Sequence, residues 1–213
     1  MRDFPFFTAQ SGIAGITLSQ IPYTKKAYIL LRETKAPEEL LKHCADFCYA
    51  AGAEKIYISG HSACEKYPYS NQLILLQAEK NQIPETDAAL FPMTEKTWNQ
   101  WRDIYNQKSL QIPNAAWMSV YDRAQQLGAG DCYFVHRDHT LLGIGKASGG
   151  RIEFLASVQR GAGQAVLSAL CNALSEAVVQ VEAASQNEKA MLFYEKMGFL
   201  PVRVLSEWYE YRK

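Results

Sequence analysis

Between Arg151 and Leu174 the chain reads "RIEFLASVQRGAGQAVLSALCNAL", an extended apolar run that meets a Gly-x-Gly pair and leaves as a helix. "RIEFLAS" has strand character and "GQAVLSALCNAL" is apolar at helical spacing. The first amides of a helix have no intrahelical acceptor and carry partial positive charge, and glycine leaves them uncovered. Arg160 adds a cation, and no acid occurs from Ser157 to Ser175. The loop therefore suits a phosphate. A lone Gly-x-Gly also serves as a plain tight turn, and neither the dinucleotide glycine triplet nor the lysine-tipped phosphate loop is present.

The rest of the chain sets the context. With 213 residues, 48% hydrophobic and 21% charged, it has the composition of a globular protein of one large domain or two small ones. Lysine plus arginine equals aspartate plus glutamate at 22 each, so electrostatics point to neither nucleic acid nor a membrane surface. The start, "MRDFPFFTAQSGIAG", lacks a leader pattern, and no stretch reaches membrane-spanning length; a cytoplasmic location is expected. The five cysteines, Cys44, Cys48, Cys64, Cys132 and Cys171, are odd in number and scattered, which fits a reducing compartment. Cys44 and Cys48 share a helix face beside His43, but no second pair stands at zinc-ligand spacing, so no metal is expected.

The first third reads strand, strand, helix, strand, strand: "GITLSQIPY", "KAYILLRE", "APEELLKHCADFCYAAGA", "KIYISG" and "NQLILLQAE". "NQIPETDAALFP" breaks the pattern around Pro84 and Pro92. The expected division is thus an N-terminal α+β region over 1–80, a linker over 81–92 and a second domain over 93–213. That domain opens with two helices, "TEKTWNQWRDIYNQ" and "PNAAWMSVYDRAQQLGAG". Trp98, Trp101 and Tyr105 share one face, as do Trp117, Val120, Tyr121, Ala124 and Leu127. The strands "DCYFVHR", "TLLGIGKAS" and "RIEFLAS" follow, with turns at Arg137-Asp138-His139 and Gly149-Gly150; His136 and His139 are expected to be solvated.

After the glycine loop and its helix come the strand "AVVQVEAAS", the helix "NEKAMLFYEKMG" and the strand "PVRVLSEWYEY". Ser185-x-x-Glu188 reads as a capping box, and Gly198 with Pro201 marks the helix end. Ala190, Phe193 and Met197 form its core stripe; Tyr194 lies at the edge, placed for packing with its hydroxyl near polar space.

Together these segments resemble the GNAT superfamily of acyl-CoA-dependent N-acetyltransferases. Arg160-Gly161-Ala162-Gly163-Gln164-Ala165 matches the family's pyrophosphate motif, and Asn187, Ala190, Phe193-Tyr194 and Gly198-Phe199 match its late motif. The likeness runs from about Thr94 to the end, most specifically from Leu155 to Phe199. It implies an α+β fold with a mixed, mostly antiparallel sheet flanked by helices, and acetyl-CoA as co-substrate. It also implies that the strand before the loop splays from the next one, leaving backbone groups of Leu155, Ala156 and Ser157 for pantetheine. The pyrophosphate would sit on the amides of Arg160, Gly161, Ala162, Gly163, Gln164 and Ala165. Asn187 and Ala190 would flank the pantetheine arm, Asn187 serving equally well as a helix cap.

In the same resemblance Tyr194 is the general acid for the departing thiolate, a phenol of pKa near ~10. Glu153 is the candidate base, with a salt-bridged surface glutamate as the alternative; alternation puts it on the side of Leu155. The acceptor is expected to be a primary amine of a small-molecule or amino-acid-like compound, in a cleft walled by Trp98, Trp101, Tyr105 and Trp117 unless these are core. A non-catalytic acyl-CoA-binding regulatory protein is the alternative. The family's Val-x-Pro-Glu-Tyr-like segment is missing before Arg160, where "LASVQRG" is shorter.

The strand-helix-strand-strand order of the first third parallels that of the second part, as a degenerate GNAT half would. Order without shared residues does not separate duplication from chance likeness. Where the second part has its glycines, the first has Lys35-Ala36-Pro37-Glu38-Glu39. Pro37 lacks an N–H and the two glutamates occupy the positive helix end, so any coenzyme site there is gone.

Overall fold

The computed structural model describes residues 5–110, 112 and 115–212. Two compact units form, one from 1–73 with 204–213 and one from 74–203. Their boundaries fall inside two strands, β5 (Tyr69–Glu79) and β11 (Leu200–Glu210).

The first unit holds β1 (Phe6–Ala9), β2 (Gly12–Thr17), the single turn α1 (Ile21–Thr24), β3 (Lys26–Thr34), α2 (Pro37–Ala50) and β4 (Lys55–Ser59), with strand order β1-β2-β3-β4-β11. Pro37 opens α2, Glu38 and Glu39 fill its first turn, and Gly52 at φ 94° lets the chain turn back beyond its end. Its buried face, Leu40, Leu41, Cys44, Ala45 and Cys48, closes a core with Ala27, Ile29, Leu31, Ile56 and Ile58. β3 and β4 run parallel and stay paired over five residues each, Lys26↔Lys55 to Leu30↔Ser59.

The second unit holds β6 (Ala89–Pro92), α3 (Trp98–Ser109), α4 (Arg123–Ala129), β7 (Cys132–Arg137), β8 (Thr140–Ser148), β9 (Arg151–Ser157), α5 (Gly163–Ala173), β10 (Val178–Ala184) and α6 (Glu188–Lys196), with strand order β5-β10-β9-β8-β7-β6. β6 to β9 pair antiparallel with their neighbours, and β9 with β10 parallel. The expected α+β class with a mostly antiparallel sheet is the one found.

Several local expectations are corrected. Residues 81–92 are more than a linker: β6 pairs with β7 from Ala89↔His136 to Pro92↔Tyr133. The second early helix is confined to α4 and a 3₁₀ turn at Val120–Asp122, because Ser119 and Asp122 form a capping box that starts it late. Its expected apolar face is open, with Tyr121 89% and Val120 58% exposed; Pro113 and Asn114 lie outside the described residues. Trp98, Trp101 and Tyr105 are core, not cleft walls, while Trp117 is half-buried. Trp101 Nε1 donates to Tyr133 O at 3.0 Å, and the Asn106 amide ties down Met118 O and N at 2.8 Å each.

Both faces of this second sheet are packed. Val166, Leu167 and Leu170 of α5 meet Val135, Ala147, Ile152 and Val181 on one face. On the other, α3 meets Phe134, Ile144, Phe154 and Ala156. Burying each large aliphatic contributes about 1.5–3 kcal/mol. β8 admits α5 because Gly143 and Gly145 lack a Cβ: at Gly145 it would lie 2.3 Å from Leu170 Cδ1, and at Gly143 2.4 Å from the backbone oxygen of Ala156.

Two outcomes are expected. Gly143→Ala lowers unfolding free energy by about 1–3 kcal/mol in urea, since a backbone oxygen cannot step aside; unchanged stability contradicts this packing. All five cysteines are buried, and burial pushes Cys44, Cys132 and Cys171 up to about 12 and Cys48 to about 11. The folded protein therefore leaves a disulfide-exchange thiol reagent unreacted at pH 8, and the denatured chain consumes five equivalents; rapid native reaction contradicts the burial.

Candidate functional site

β9 cannot remain a regular strand along its whole length. Opposite β8, Lys146 faces Phe154 while the next residue, Ala147, faces Ile152. Glu153 is the extra residue of a β-bulge, which bends the strand and increases its twist. Pairing with β10 stops at the same point: only Arg151↔Gln180 and Ile152↔Val181 are in register, helped by Gln180 N donating to Gly150 O at 2.9 Å. Beyond them a gap opens between residues 153–157 and 182–184. Arg151 spans its closed end, with Nη1 2.8 Å from Glu182 Oε1 and Nη2 3.4 Å from Gln180 Oε1.

Leu155 and Ala156 point their side chains into the cores under α5 and α3, and Ser157 is half-buried. What they leave for a ligand is the backbone edge of β9 along the gap, the same element the resemblance assigns to pantetheine.

At the open end, Val158 N and Gln159 N both donate to Leu142 O, at 2.8 and 3.3 Å, and hold the loop onto β8. Gly161 turns at φ 83° with nothing within 4 Å of where a Cβ would stand. Ala162 precedes α5 without a side-chain cap, and the first turn, Gly163, Gln164 and Ala165, contains no acid. No side chain caps its first amides. Arg160 is exposed, and among the described residues no carboxylate pairs with it. The set fits a pyrophosphate: a backbone cradle, room over Gly161, and one exposed cation.

Tyr194 of α6 is 9% exposed, between the rings of Phe193 at 5.4 Å and Phe199 at 5.6 Å. Burial, with a smaller contribution from Cys171, pushes its phenol up to about 12, so it holds its proton throughout the physiological range. No described residue hydrogen-bonds its hydroxyl. Asn187 is the N-cap of α6, its Oδ1 accepting from Ala190 N at 3.2 Å. The cap thus lies two residues beyond the Ser185 expected from the sequence, and the structure shows Asn187 in its capping alternative. Ala190 is half-buried against the core under α5.

The bulge also corrects the expected facing of Glu153. Ile152 and Leu155 now share the α5 face, and Glu153 lies with Phe154 on the side of Lys146. Its carboxylate is 2.8 Å from Lys146 Nζ, which is also 3.6 Å from Asp131. Burial works to lower the Lys146 pKa, but its hydrogen bond to Glu153 and the charges of Glu153 and Asp131 outweigh that and raise it. Sequence reasoning missed this cluster; the available signal was one lysine inside the apolar run "TLLGIGKAS". Among the described residues no group of three or more His, Cys, Asp or Glu side chains is placed to hold a metal.

In the first unit β3 also carries a bulge, at Arg32, but beyond the stretch paired with β4, and the helix start differs. β3 and β4 do not part, Pro37 removes an amide, and Glu38 pairs with Lys66 at the helix start.

Solved structures place this arrangement in a known fold. A conserved protein of unknown function from Staphylococcus epidermidis is similar at 11% identity and TM-score 0.62, over 98% of this chain and 93% of that one. A putative acetyltransferase from Pyrococcus horikoshii matches at 12% identity and TM-score 0.62, over 95% and 70%. A GCN5-related N-acetyltransferase from Sphaerobacter thermophilus matches at 10% identity and TM-score 0.54, over 94% and 76%. The fold is that of the GCN5-related N-acetyltransferase superfamily. No protein-family model and no curated protein matches the sequence.

Raised pKa values set the expected alkaline behaviour. Tyr194 and the buried thiols prefer their neutral forms in the folded state, relative to ordinary values of 10.0 and 9.0. The unfolded chain loses those protons first, so stability is intact below about pH 9 and falls toward pH 12; the raised Lys146 acts in the same direction. The midpoint of urea unfolding should decline steadily over that window, and Tyr194→Phe should flatten part of the fall above pH 10. A midpoint rising with pH contradicts the burial of these groups.

Proposed function

We propose that the chain is a cytoplasmic N-acetyltransferase that moves an acetyl group from acetyl-CoA to a primary amine of a small-molecule or amino-acid-like acceptor by direct attack. The observation that carries this reading is the parting of β9 from β10 after two paired positions, next to the uncapped, glycine-led start of α5. A gap lined by backbone donors and acceptors, ending in an anion cradle, suits a long thin ligand with an amide-bearing arm and a phosphate end. Among the described residues no helix is long and apolar enough to cross a membrane.

Acetyl-CoA supplies an activated thioester. The backbone of Leu155, Ala156 and Ser157 binds and orients the amide-bearing arm, and the amides of the loop with Arg160 hold the phosphates. Tyr194, kept protonated by burial, donates its proton to the departing sulfur. Asp131, Lys146 and Glu153 sum to one spare negative charge, which draws a cationic amine, and Glu153 accepts its proton directly or through water. Residues 1–80 are read as a degenerate half of the same fold, supported by the repeated order of an antiparallel pair followed by a parallel strand-helix-strand crossover, β2-β3-α2-β4 and β8-β9-α5-β10.

The pairing of Glu153 with Lys146 favours one other reading, a protein that binds acyl-CoA to regulate a partner without turnover. Calorimetry and an acetyl-transfer assay separate the two. Wild type should bind acetyl-CoA saturably, and Gly163→Asp, folded by circular dichroism, should bind at least tenfold more weakly. Tyr194→Phe should keep affinity while kcat drops by about 10²–10⁴. Saturable binding with no transfer to any amine in a broad screen selects the regulatory reading, and absence of binding by folded wild type removes both.

A further inference from the structure

The second unit contains a cavity of about 700 Å³ between β6, the tip of the β7-β8 hairpin and the start of α3. None of its lining residues belongs to β9, α5, β10 or α6, so it is separate from the coenzyme gap. The volume lies in the range of small-molecule sites, roughly 300–1,000 Å³.

Its apolar wall is aromatic. Phe91 stands on the edge strand, 52% exposed, across from Phe134 in the β6-β7 ladder. The ring of His136 meets Phe91 edge-on, with centroids 5.2 Å apart at 89°. His136 Nδ1 is shut off from solvent and has no hydrogen-bond partner among the described residues. With Nδ1 closed off, Nε2 is the ring nitrogen left for a ligand. His136 lines the cavity, and an imidazole Nε2 can serve a ligand there as a hydrogen-bonding group.

The rim sets the charge. Arg137 Nε lies 2.7 Å from Asp87 Oδ1, so this guanidinium is balanced, and Asp138 adds a further carboxylate. An anionic ligand would meet two carboxylates against one guanidinium. The hairpin tip also holds two non-glycine residues in the left-handed region, Asp138 at φ 48° and His139 at φ 65°. A two-residue turn of this kind is most comfortable with glycine second. His139 holds this left-handed backbone and lines the cavity.

We propose that this cavity is a second ligand site, for a neutral, flat heteroaromatic compound whose ring packs against Phe91 and Phe134 and whose polar group hydrogen-bonds to Nε2 of His136. Nicotinamide has this chemistry; benzoate and benzylamine are its charged comparators. Titrations of the full chain, followed by amide NMR shifts, should show saturable nicotinamide binding at the β6-β7 residues, with benzoate weaker. Phe91→Ser, at an exposed position that leaves the fold intact, and His136→Leu should each weaken nicotinamide at least tenfold while acetyl-CoA affinity stays the same. No saturable nicotinamide binding by wild type, tighter binding of benzoate, or unchanged affinity in both variants overturns the proposal. Because acetyl-CoA is titrated in parallel, failure here is distinct from failure of the acetyltransferase reading.

Discussion

One inserted residue governs the second unit. β9 lies between two cores, and Glu153, the extra residue opposite the Lys146–Ala147 step, shifts which side chains serve which face. Before it Ile152 packs under α5; after it Phe154 packs under α3 and Leu155 returns to α5. The same bend takes the strand away from β10, whose pairing ends at Val181. Backbone donors and acceptors along both lips of the gap then lack a ladder partner, and such groups cost about 1–3 kcal/mol each if buried unsatisfied. Water or a ligand that hydrogen-bonds like a strand must satisfy them. The bulge therefore links core packing to ligand capacity.

The first unit shows the same order of elements with its bulge residue, Arg32 of β3, lying beyond the stretch paired with β4. β3 and β4 remain in register along five pairs, so no backbone edge is released between them. At the head of α2, proline removes one donor and Glu38 and Glu39 bring negative charge to the end where an anion would sit. Neither helix start has a side-chain cap; one carries proline and two acidic residues, the other glycine and no acid. The two crossovers differ in a few residues at the helix start and in where the bulge falls: after five parallel pairs in β3 and after two in β9.

Local features were legible in the sequence because local chemistry determines them. The glycine loop, the start of α2 at Pro37, the end of α6 near Gly198 and the core stripe of α3 follow from helix-end chemistry and periodicity. The family likeness rested on such local motifs, and the fold agrees with it. Long-range pairing was not legible. No composition marks Glu153 as a bulge, so strict alternation assigns it the wrong face, and nothing in "PVRVLSEWYEY" indicates that its last residues pair with β4 through Tyr209↔Ile58. "ALFP" reads as linker because a four-residue edge strand ending in proline carries little pattern. The cap of α6 is Asn187, not Ser185: both side chains can cap a helix, and local pattern does not distinguish them.

Backbone amide exchange, measured by mass spectrometry or NMR with and without acetyl-CoA, tests the central claim most directly because it reads the released backbone edges themselves. The account predicts protection on ligand addition at Leu155–Ser157, at Gly161–Ala165 and along 182–184, with β3, α2 and β4 unchanged. Protection confined to the first unit, or none at the two lips of the gap under saturating ligand, would contradict it.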